Sequence, residues 1–554
     1  MPSCHVGARA RHYALLAFVW AVLCLPNLGG PSLWDIDEGN NAECAQEMHD
    51  SGNFIVPTFN YKLRIDKPIL LYWLQVSAYR FFGVNEFAAR LPSALASLLA
   101  VLVAYELGRR LFRASTALLA ALVLASSVAF CAAAHFANPD ALLNLCTLLT
   151  LWCFWNHYTR PSGWWMLGCG AASGLGMLAK GPVALILPMT TTLLYLLWRR
   201  ELRRLWDARL LGASLVFVLV AAPWYIWVGV ETKGEWLHGF FWKHNVERGL
   251  GVMENHGGPF FYYGLVLIAG LTPWSVFLGP TAWHAWKRLK TEKEEPLLTP
   301  RAGGVQFLLC WLTVWFVFFT VVRTKLPNYI LPAYPAVALL TASFLDDWRR
   351  GQITLPAWVM PTSLICLALI GVGVSVGLLI AGDVVPVALR GRRLPGLGAA
   401  AWLGGVFLLG AAAAMWCVRR GRRGGFLGCV ATAAIVFTGA VAFWGTGVVD
   451  RFKAPRPLIQ ALPDDYLYRE VRVGAFGYFQ PSIVFYCRRE VHCPTEPIAA
   501  VEFLHTPLPV YFFVTAEMWE QLRIFAPASY RMVARHHDLY NGREVLLVTN
   551  DPIN

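Results

Sequence analysis

Charged side chains are scarce in this sequence: Asp, Glu, Lys and Arg supply 15% of its 554 residues, against 57% hydrophobic residues. Soluble domains carry about 25% charged residues, so a water-surrounded globule of this length is excluded and a polytopic membrane protein is expected. Metal-type cysteine spacing is missing too. The 13 cysteines are scattered, mostly inside apolar runs, where a thiol behaves as a small buried hydrophobe. There is no basic stripe with interleaved aromatics, which argues against nucleic acid as a partner despite a formal net charge of +13. No internal repeat points to a duplicated transporter.

What the chain has instead is a succession of apolar runs. About thirteen are long enough, at roughly 17 to 25 residues, to cross the hydrocarbon core. They lie near 12–28, 87–108, 114–134, 140–158, 164–179, 182–198, 209–229, 259–282, 304–322, 329–346, 355–381, 397–417 and 425–448. The two that meet at Lys180-Gly181 are each short for a full crossing. Basic residues collect in alternate loops: Arg109, Arg110 and Arg113; Arg199, Arg200, Arg203 and Arg204; Lys287, Arg288 and Lys290; Arg349 and Arg350; Arg419, Arg420, Arg422 and Arg423. The positive-inside rule makes those loops cytoplasmic, and an anionic inner leaflet accounts for the surplus of positive charge.

Residues 1–28 then read as a retained anchor rather than a cleaved signal. The loops at about 29–86 and 230–258 and everything after Val448 face outward, into periplasm or its equivalent. Residues 1–449 are expected to form the transmembrane domain and 450–554 a soluble α/β domain. In that tail, Val471 to Phe476, Ser482 to Tyr486, Val510 to Val514 and Glu544 to Val548 read as strands, with helical stretches near Pro457 to Leu462 and Ala516 to Ile524. It carries no phosphate-binding glycine loop and no catalytic triad, so a supporting or partner-binding role is expected. Cys487 and Cys493 are placed where an oxidising compartment would permit a disulfide.

The few charges gather outside the membrane, and there they point to chemistry. Asp35, Asp37, Glu38 and Glu43 crowd one boundary, which is costly unless cations, metal or water compensate. Lys62, Arg64 and Lys67 follow within one loop, and later outward loops bring Lys243, His244, Arg248, His256, Arg323 and Lys325. Carboxylates and cations facing one pocket suit a phosphate-bearing substrate, with the cations on the phosphate and a carboxylate on a hydroxyl. Asp66 with His244 or His256 is a candidate divalent metal site, although one His and one Asp are too few for a closed one. No cofactor is required by the pattern. The competing class is a lipid or sugar carrier or flippase. Carriers place polar residues near the midplane, whereas here only Asp140 approaches a buried acid.

Residues from about 31 to 340 resemble the integral-membrane glycosyltransferases of the GT-C class, in the branch of the aminoarabinose transferases and bacterial relatives of the protein O-mannosyltransferases (glycosyltransferase family 39-like). The matching signs run in order: Asp37-Glu38, Ala42-Glu43 and Glu47-Met48; Asp66-Lys67-Pro68 with Tyr72-Trp73; Arg90-Leu91-Pro92-Ser93; Asn138-Pro139-Asp140; Leu178 to Pro182; His244 to Arg248; His256 to Phe260; and Lys325 to Tyr329. The resemblance implies a GT-C fold and transfer of a sugar, with inversion, from a polyprenyl-phosphate donor to a lipid (lipid A-like), protein or glycan acceptor at the outer face. Asp37, with Glu38 beside it, would be the catalytic carboxylate, and Asp140 the second acidic position. Lys67, Arg248 and Lys325 would hold the donor phosphate, and Tyr329, Asn328 and Tyr61 would line the substrate pocket. The aminoarabinose branch typically carries Arg-Tyr where this chain has Asn40-Asn41, and Glu-Lys where it has Asp66-Lys67. A general membrane glycosyltransferase is therefore expected, not one committed to lipid A and aminoarabinose.

Overall fold

The computed structural model describes residues 2–247, 251, 257–294, 303–385 and 394–552. Among them, seven helices are long and apolar enough to cross a membrane: Glu86–Leu111, Arg209–Glu231, Gly304–Val321, Pro327–Arg349, Val359–Ala381, Leu397–Arg419 and Arg423–Asp450. Two bent pairs bring the number to nine if each counts as one span. The other expected spans fall on α1 (Pro2–Cys24), α7 (Asp140–Thr159), α8 (Gly163–Lys180) and α9 (Val183–Trp198), which do not meet the same standard of length and apolarity singly. The protein is a multi-pass helical membrane protein.

The two breaks have local causes. The run at 114–134 forms α5 (Ala114–Ala125) and α6 (Val128–Ala134), bent by 66°. At the bend the hydroxyls of Ser126 and Ser127 donate to the carbonyls of Leu122 and Val123, both at 2.6 Å, competing with the helix ladder. The run at 259–282 turns by 115° between Tyr262–Gly270 and Trp274–Lys290. Pro273 stands there, lacking an N–H and driving Thr272 out of the helical region.

The first outer segment forms no span. It carries α2 (Asp37–Ser51), the short hairpin of β1 (Thr58–Phe59) and β2 (Lys62–Leu63), and α3 (Leu70–Phe82), whose apolar stripe packs on α2. There the Tyr79 hydroxyl donates to the Ala42 carbonyl at 3.1 Å. Although its sequence is polar, α2 is largely buried, because α3 lies to one side and the C-terminal region to the other, with Arg90 of α4 (Glu86–Leu111) closing on its start.

That region contains a mixed five-stranded sheet in the order β4-β3-β5-β7-β6, from β3 (Arg472–Phe476), β4 (Val491–His492), β5 (Val510–Thr515), β6 (Arg531–His537) and β7 (Glu544–Thr549). β3 runs parallel to β4 and β5, while β7 is antiparallel to β5 and β6. Three of the expected strands are there. The fourth, Ser482 to Tyr486, is instead a helix, Pro481–Cys487. A five-residue apolar run fits either state, and Pro481 at the first helical position settles it, since its missing N–H needs no partner there. Cys487 and Cys493 are both free thiols, the first buried in the sheet's core and the second exposed, so the expected disulfide is not formed.

The sheet region is anchored to the segment that leads into α2. Asp35 accepts from the Ser482 backbone N–H at 2.8 Å and from its hydroxyl, and the Tyr540 hydroxyl receives the Asp35 N–H at 3.0 Å. Lys453 donates to the Ser32 carbonyl at 2.7 Å and pairs with Asp450 at 2.7 Å. Gly39 fits this junction because a Cβ there would lie 2.5 Å from the Ser482 nitrogen. Burial pushes the Asp35 carboxyl up to about 7, against the opposing pull of the Ser482 hydrogen bonds and the Lys453 charge.

Candidate active site

Asp37 and Glu38 open α2, and successive residues of a helix point about 100° apart. They therefore meet different surroundings. Glu38 is fully buried and accepts four hydrogen bonds: from Arg90 Nε at 2.9 Å and Nη2 at 2.7 Å, from the Trp34 N–H at 2.8 Å, and from the Ala137 N–H at 2.6 Å. Arg90 spends its remaining donors on the carbonyls of Leu28, Pro31 and Ser32. Glu38 thus clamps the α2 start to α4, with no lone pair left for a substrate. Asp37 is only half-buried, takes one long hydrogen bond among the described residues, from Asn138 Nδ2 at 3.4 Å, and faces a cavity of about 640 Å³.

That cavity is walled by α6, by the helix Tyr262–Gly270 and by residues 326–334, and its polar groups besides Asp37 are chiefly Asn138, Asp140 and Asn328. Gly270 keeps one wall open, because a Cβ would strike the Tyr334 hydroxyl. A second cavity of about 410 Å³ lies beyond, lined by Asp66, Lys67, Lys180, His244 and Tyr329 and otherwise by Leu, Ile, Val, Pro and Phe side chains.

The partition between them is made of ion-paired groups. Asp140, at the start of α7, is bridged by Lys180 from the end of α8 and accepts from Asn328 Nδ2 at 2.6 Å. Lys180 also lies 5.3 Å from the centre of the Tyr329 ring. It reaches this place because α8 stops at Gly181, whose φ of 84° and lack of a side chain admit the Phe240 ring, 2.5 Å from where a Cβ would stand. Asp66 accepts from His244 Nε2 at 2.9 Å and pairs with Arg64 at 3.3 Å. Burial alone would raise its pKa, but the His244 hydrogen bond and the Arg64 charge outweigh it and hold the carboxyl well below the usual range.

Asp37, Asp140 and Asn328 thus gather at the first cavity, and Lys67, Asp66, His244 and Tyr329 at the second. Lys325 is turned away: its ammonium donates to the carbonyls of Phe319, Thr320 and Val322 at 3.2, 2.8 and 3.0 Å, closing the C-terminal end of Gly304–Val321. Tyr61 borders neither cavity. It stands exposed at the β1–β2 tip against the sheet region. Arg248 and His256 lie outside the described residues. Among those described, no group of three or more His, Cys, Asp and Glu is arranged to hold a metal, and Asp66 with His244 supplies two donors already hydrogen-bonded to each other. The sequence does not single out Arg90 or Lys180 as a site residue, because the first is one cation near the start of a long apolar run and the second an interruption between two short ones.

The class is defined by this architecture: a GT-C glycosyltransferase fold. ArnT from Cupriavidus metallidurans bound to undecaprenyl phosphate matches with a TM-score of 0.79 at 25% identity, over 99% of this chain and 98% of that one. The archaeal oligosaccharyltransferase AglB from Archaeoglobus fulgidus shares the fold alone, with a TM-score of 0.51 at 14% identity over 94% of this chain and 71% of that one. The family model for dolichyl-phosphate-mannose-protein mannosyltransferase matches residues 66–227. In sequence, the undecaprenyl phosphate-alpha-4-amino-4-deoxy-L-arabinose arabinosyl transferase of Erwinia tasmaniensis is 32% identical over 342 residues, 60% of this chain and 59% of that protein. The match thus spans about three fifths of the length of such relatives. The chain resembles the GT-C class, aminoarabinose-transferase branch, in both sequence and fold.

Proposed function

We propose that the protein is an inverting glycosyltransferase that moves a sugar from a polyprenyl-phosphate donor to a lipid, protein or glycan acceptor at the outer face of a bacterial inner membrane. One observation carries this: a half-buried carboxylate at one cavity, Asp37, and a largely apolar second cavity whose polar corner holds Lys67 and Lys180 with Asp66 and His244 lie on the two sides of the Asp140–Lys180 bridge. The names of the relatives supply the donor class, and the second cavity suits it, because a prenyl phosphate joins an anionic head to a chain worth about 0.8 kcal/mol of burial per methylene.

Lys67 and Lys180 take the phosphate oxygens, where fixed positive charge stabilises the leaving group as its bond lengthens. The acceptor enters from the Asp37 side. Its hydroxyl oxygen attacks the anomeric carbon on the face opposite the phosphate, the carbon–oxygen bond to phosphate breaks with its electron pair, and the proton passes to Asp37. If the acceptor is a phosphate, already ionised, Asp37 only orients it. Glu38 and Arg90 are positioning residues that fix where α2 begins. The outward direction of both cavities rests on the basic loops at the opposite helix ends.

The test is transfer of radiolabelled sugar from a panel of polyprenyl-phosphate sugars by the purified protein in native-lipid nanodiscs, with Asp37→Asn as control. Label moved by wild type and not by the variant supports the enzyme. No transfer, together with protein-dependent movement of the donor across a sealed bilayer, replaces it with a carrier.

A further inference from the structure

A third cavity, of about 520 Å³, lies away from the other two, between the β1–β2 tip and the sheet edge, and is lined in part by Tyr61, Arg472, Arg489, Glu490, His492 and Phe503. We propose that it is a subsite for an anionic sugar unit of the acceptor, bearing a phosphate or carboxylate. This deepens the glycosyltransferase reading and rests on it.

The site is built rather than incidental. In the parallel β3–β4 pair Gly474 lies opposite His492. A side chain at 474 would collide with the Phe503 ring, 2.5 Å from the Cβ position, so glycine lets that ring settle on the sheet. The His492 imidazole stacks on it with centroids 5.0 Å apart and an interplanar angle of 13°. Arg472 lies two residues before Gly474 and so on the same face. It is exposed, and its guanidinium has no ion pair among the described residues.

The other wall is clamped in place. Asn60 donates to the Val491 carbonyl at 2.9 Å and accepts the Val491 N–H at 2.8 Å, which ties the hairpin tip to β4. Tyr61, at φ 61° and 60% exposed, is held with its ring at the cavity by that clamp and by its N–H bond to Glu47 at 3.1 Å. Asn60 and Tyr61 are the two loop residues of the hairpin, with φ of 52° and 61°, the positive values such a turn demands at both positions, so the turn itself fixes the tyrosine's direction.

Aromatic faces, a guanidinium fork and a carboxylate rim together define the ligand. The apolar C–H face of a sugar ring packs on Tyr61 or the His492–Phe503 stack, Arg472 pairs with a phosphate or carboxylate in bidentate fashion, and Glu490 accepts from ring hydroxyls. Arg489 donates to the carbonyls of Tyr466, Leu467 and Arg469, so it shapes the wall. Glu47, which bonds Tyr61, is ten residues along α2 from Asp37, or about 15 Å at 1.5 Å per residue. The subsite therefore meets a unit beyond the reacting one in an extended acceptor.

Saturation-transfer NMR on the full chain in nanodiscs, with N-acetylglucosamine 1-phosphate, N-acetylglucosamine and inorganic phosphate as probes, tests this. The phosphorylated sugar is expected to bind at least tenfold more tightly than either fragment, and Arg472→Ala and Tyr61→Ala each to weaken it about tenfold. Phosphate binding as well as the phosphorylated sugar, or no response to either variant, overturns the subsite. In transfer assays Arg472→Ala is expected to raise the acceptor KM and leave donor affinity unchanged, with Arg472→Lys intermediate. Transfer that proceeds with the acceptor KM indifferent to Arg472 and Tyr61 refutes the subsite and spares the glycosyltransferase. Arg472-dependent probe binding by a protein that transfers no sugar does the reverse.

Discussion

Replacing Glu38 by glutamine separates a structural acid from a catalytic one. The substitution keeps size and shape, but both carboxylate oxygens of Glu38 are faced only by donors, each by one Arg90 nitrogen and one backbone N–H. Whichever way the amide turns, its NH2 meets two donors and the Arg90 charge loses its counterion inside the fold. Breaking a buried pair in this way costs about 3–5 kcal/mol, a large share of the roughly 5–15 kcal/mol that holds a typical domain folded. Unfolding can be followed with a thiol-reactive dye, since Cys24, Cys131, Cys146 and Cys310 are buried and become reactive only when helices separate. Glu38→Gln and Arg90→Met are each expected to lower the midpoint strongly, and Glu38→Leu combined with Arg90→Met to recover much of the loss, because an apolar pair of similar volume often replaces a buried ion pair at little cost. A Glu38→Gln protein that unfolds like wild type yet transfers no sugar would refute the clamp and return Glu38 to the chemistry.

Asp37→Asn is expected to slow transfer to a hydroxyl acceptor by about 100-fold or more with unfolding unchanged, measured by steady-state transfer; full activity would remove its role as base. Lys67→Ala is expected to weaken donor binding, whereas Lys325→Ala should lower stability by about 1–3 kcal/mol through the orphaned carbonyls it leaves and keep donor affinity, so matched titrations with a polyprenyl phosphate distinguish the two lysines. Asp35 has its folded pKa raised from 3.8 to about 7, so its protonated form stabilises the docked sheet region; that contribution is complete below about pH 4, declines as pH rises and is gone above about pH 7. Protection against hydrogen exchange at 478–487, taken relative to the unstructured chain at the same pH, should accordingly fall between about pH 4 and about pH 7, and in Asp35→Asn this fall should vanish. Gly39→Ala drives a Cβ into the Ser482 nitrogen and the Pro481 carbonyl carbon, 2.5 and 3.0 Å away, and is expected to speed proteolysis between 450 and 481; unchanged cleavage would mean that the junction yields.

Periodicity and charge placement carry most of the fold. The apolar runs become helices, the basic clusters share one set of helix ends, and strands β3, β5 and β7 stand where short runs rich in β-branched, aromatic and other apolar residues put them. What spacing cannot carry is the identity of a charge's partner. Lys67 and Lys325 both read as outer-loop cations, and only the fold shows that three carbonyls at the end of Gly304–Val321 occupy the second. Asp37 and Glu38 are neighbours in sequence, yet one faces a cavity and the other an arginine 52 residues away. Lys180 looks like an interruption between two short apolar runs until Asp140 and Tyr329 close around it. Each of these distinctions follows from the high cost of leaving a charge unpaired in an apolar surrounding. A buried charge saturated by the fold is removed from chemistry, so the catalytic candidates are the outer groups that keep spare capacity toward a cavity. By that criterion Asp37 is separated from Glu38, and Lys325, whose ammonium is taken up by three carbonyls, is set aside.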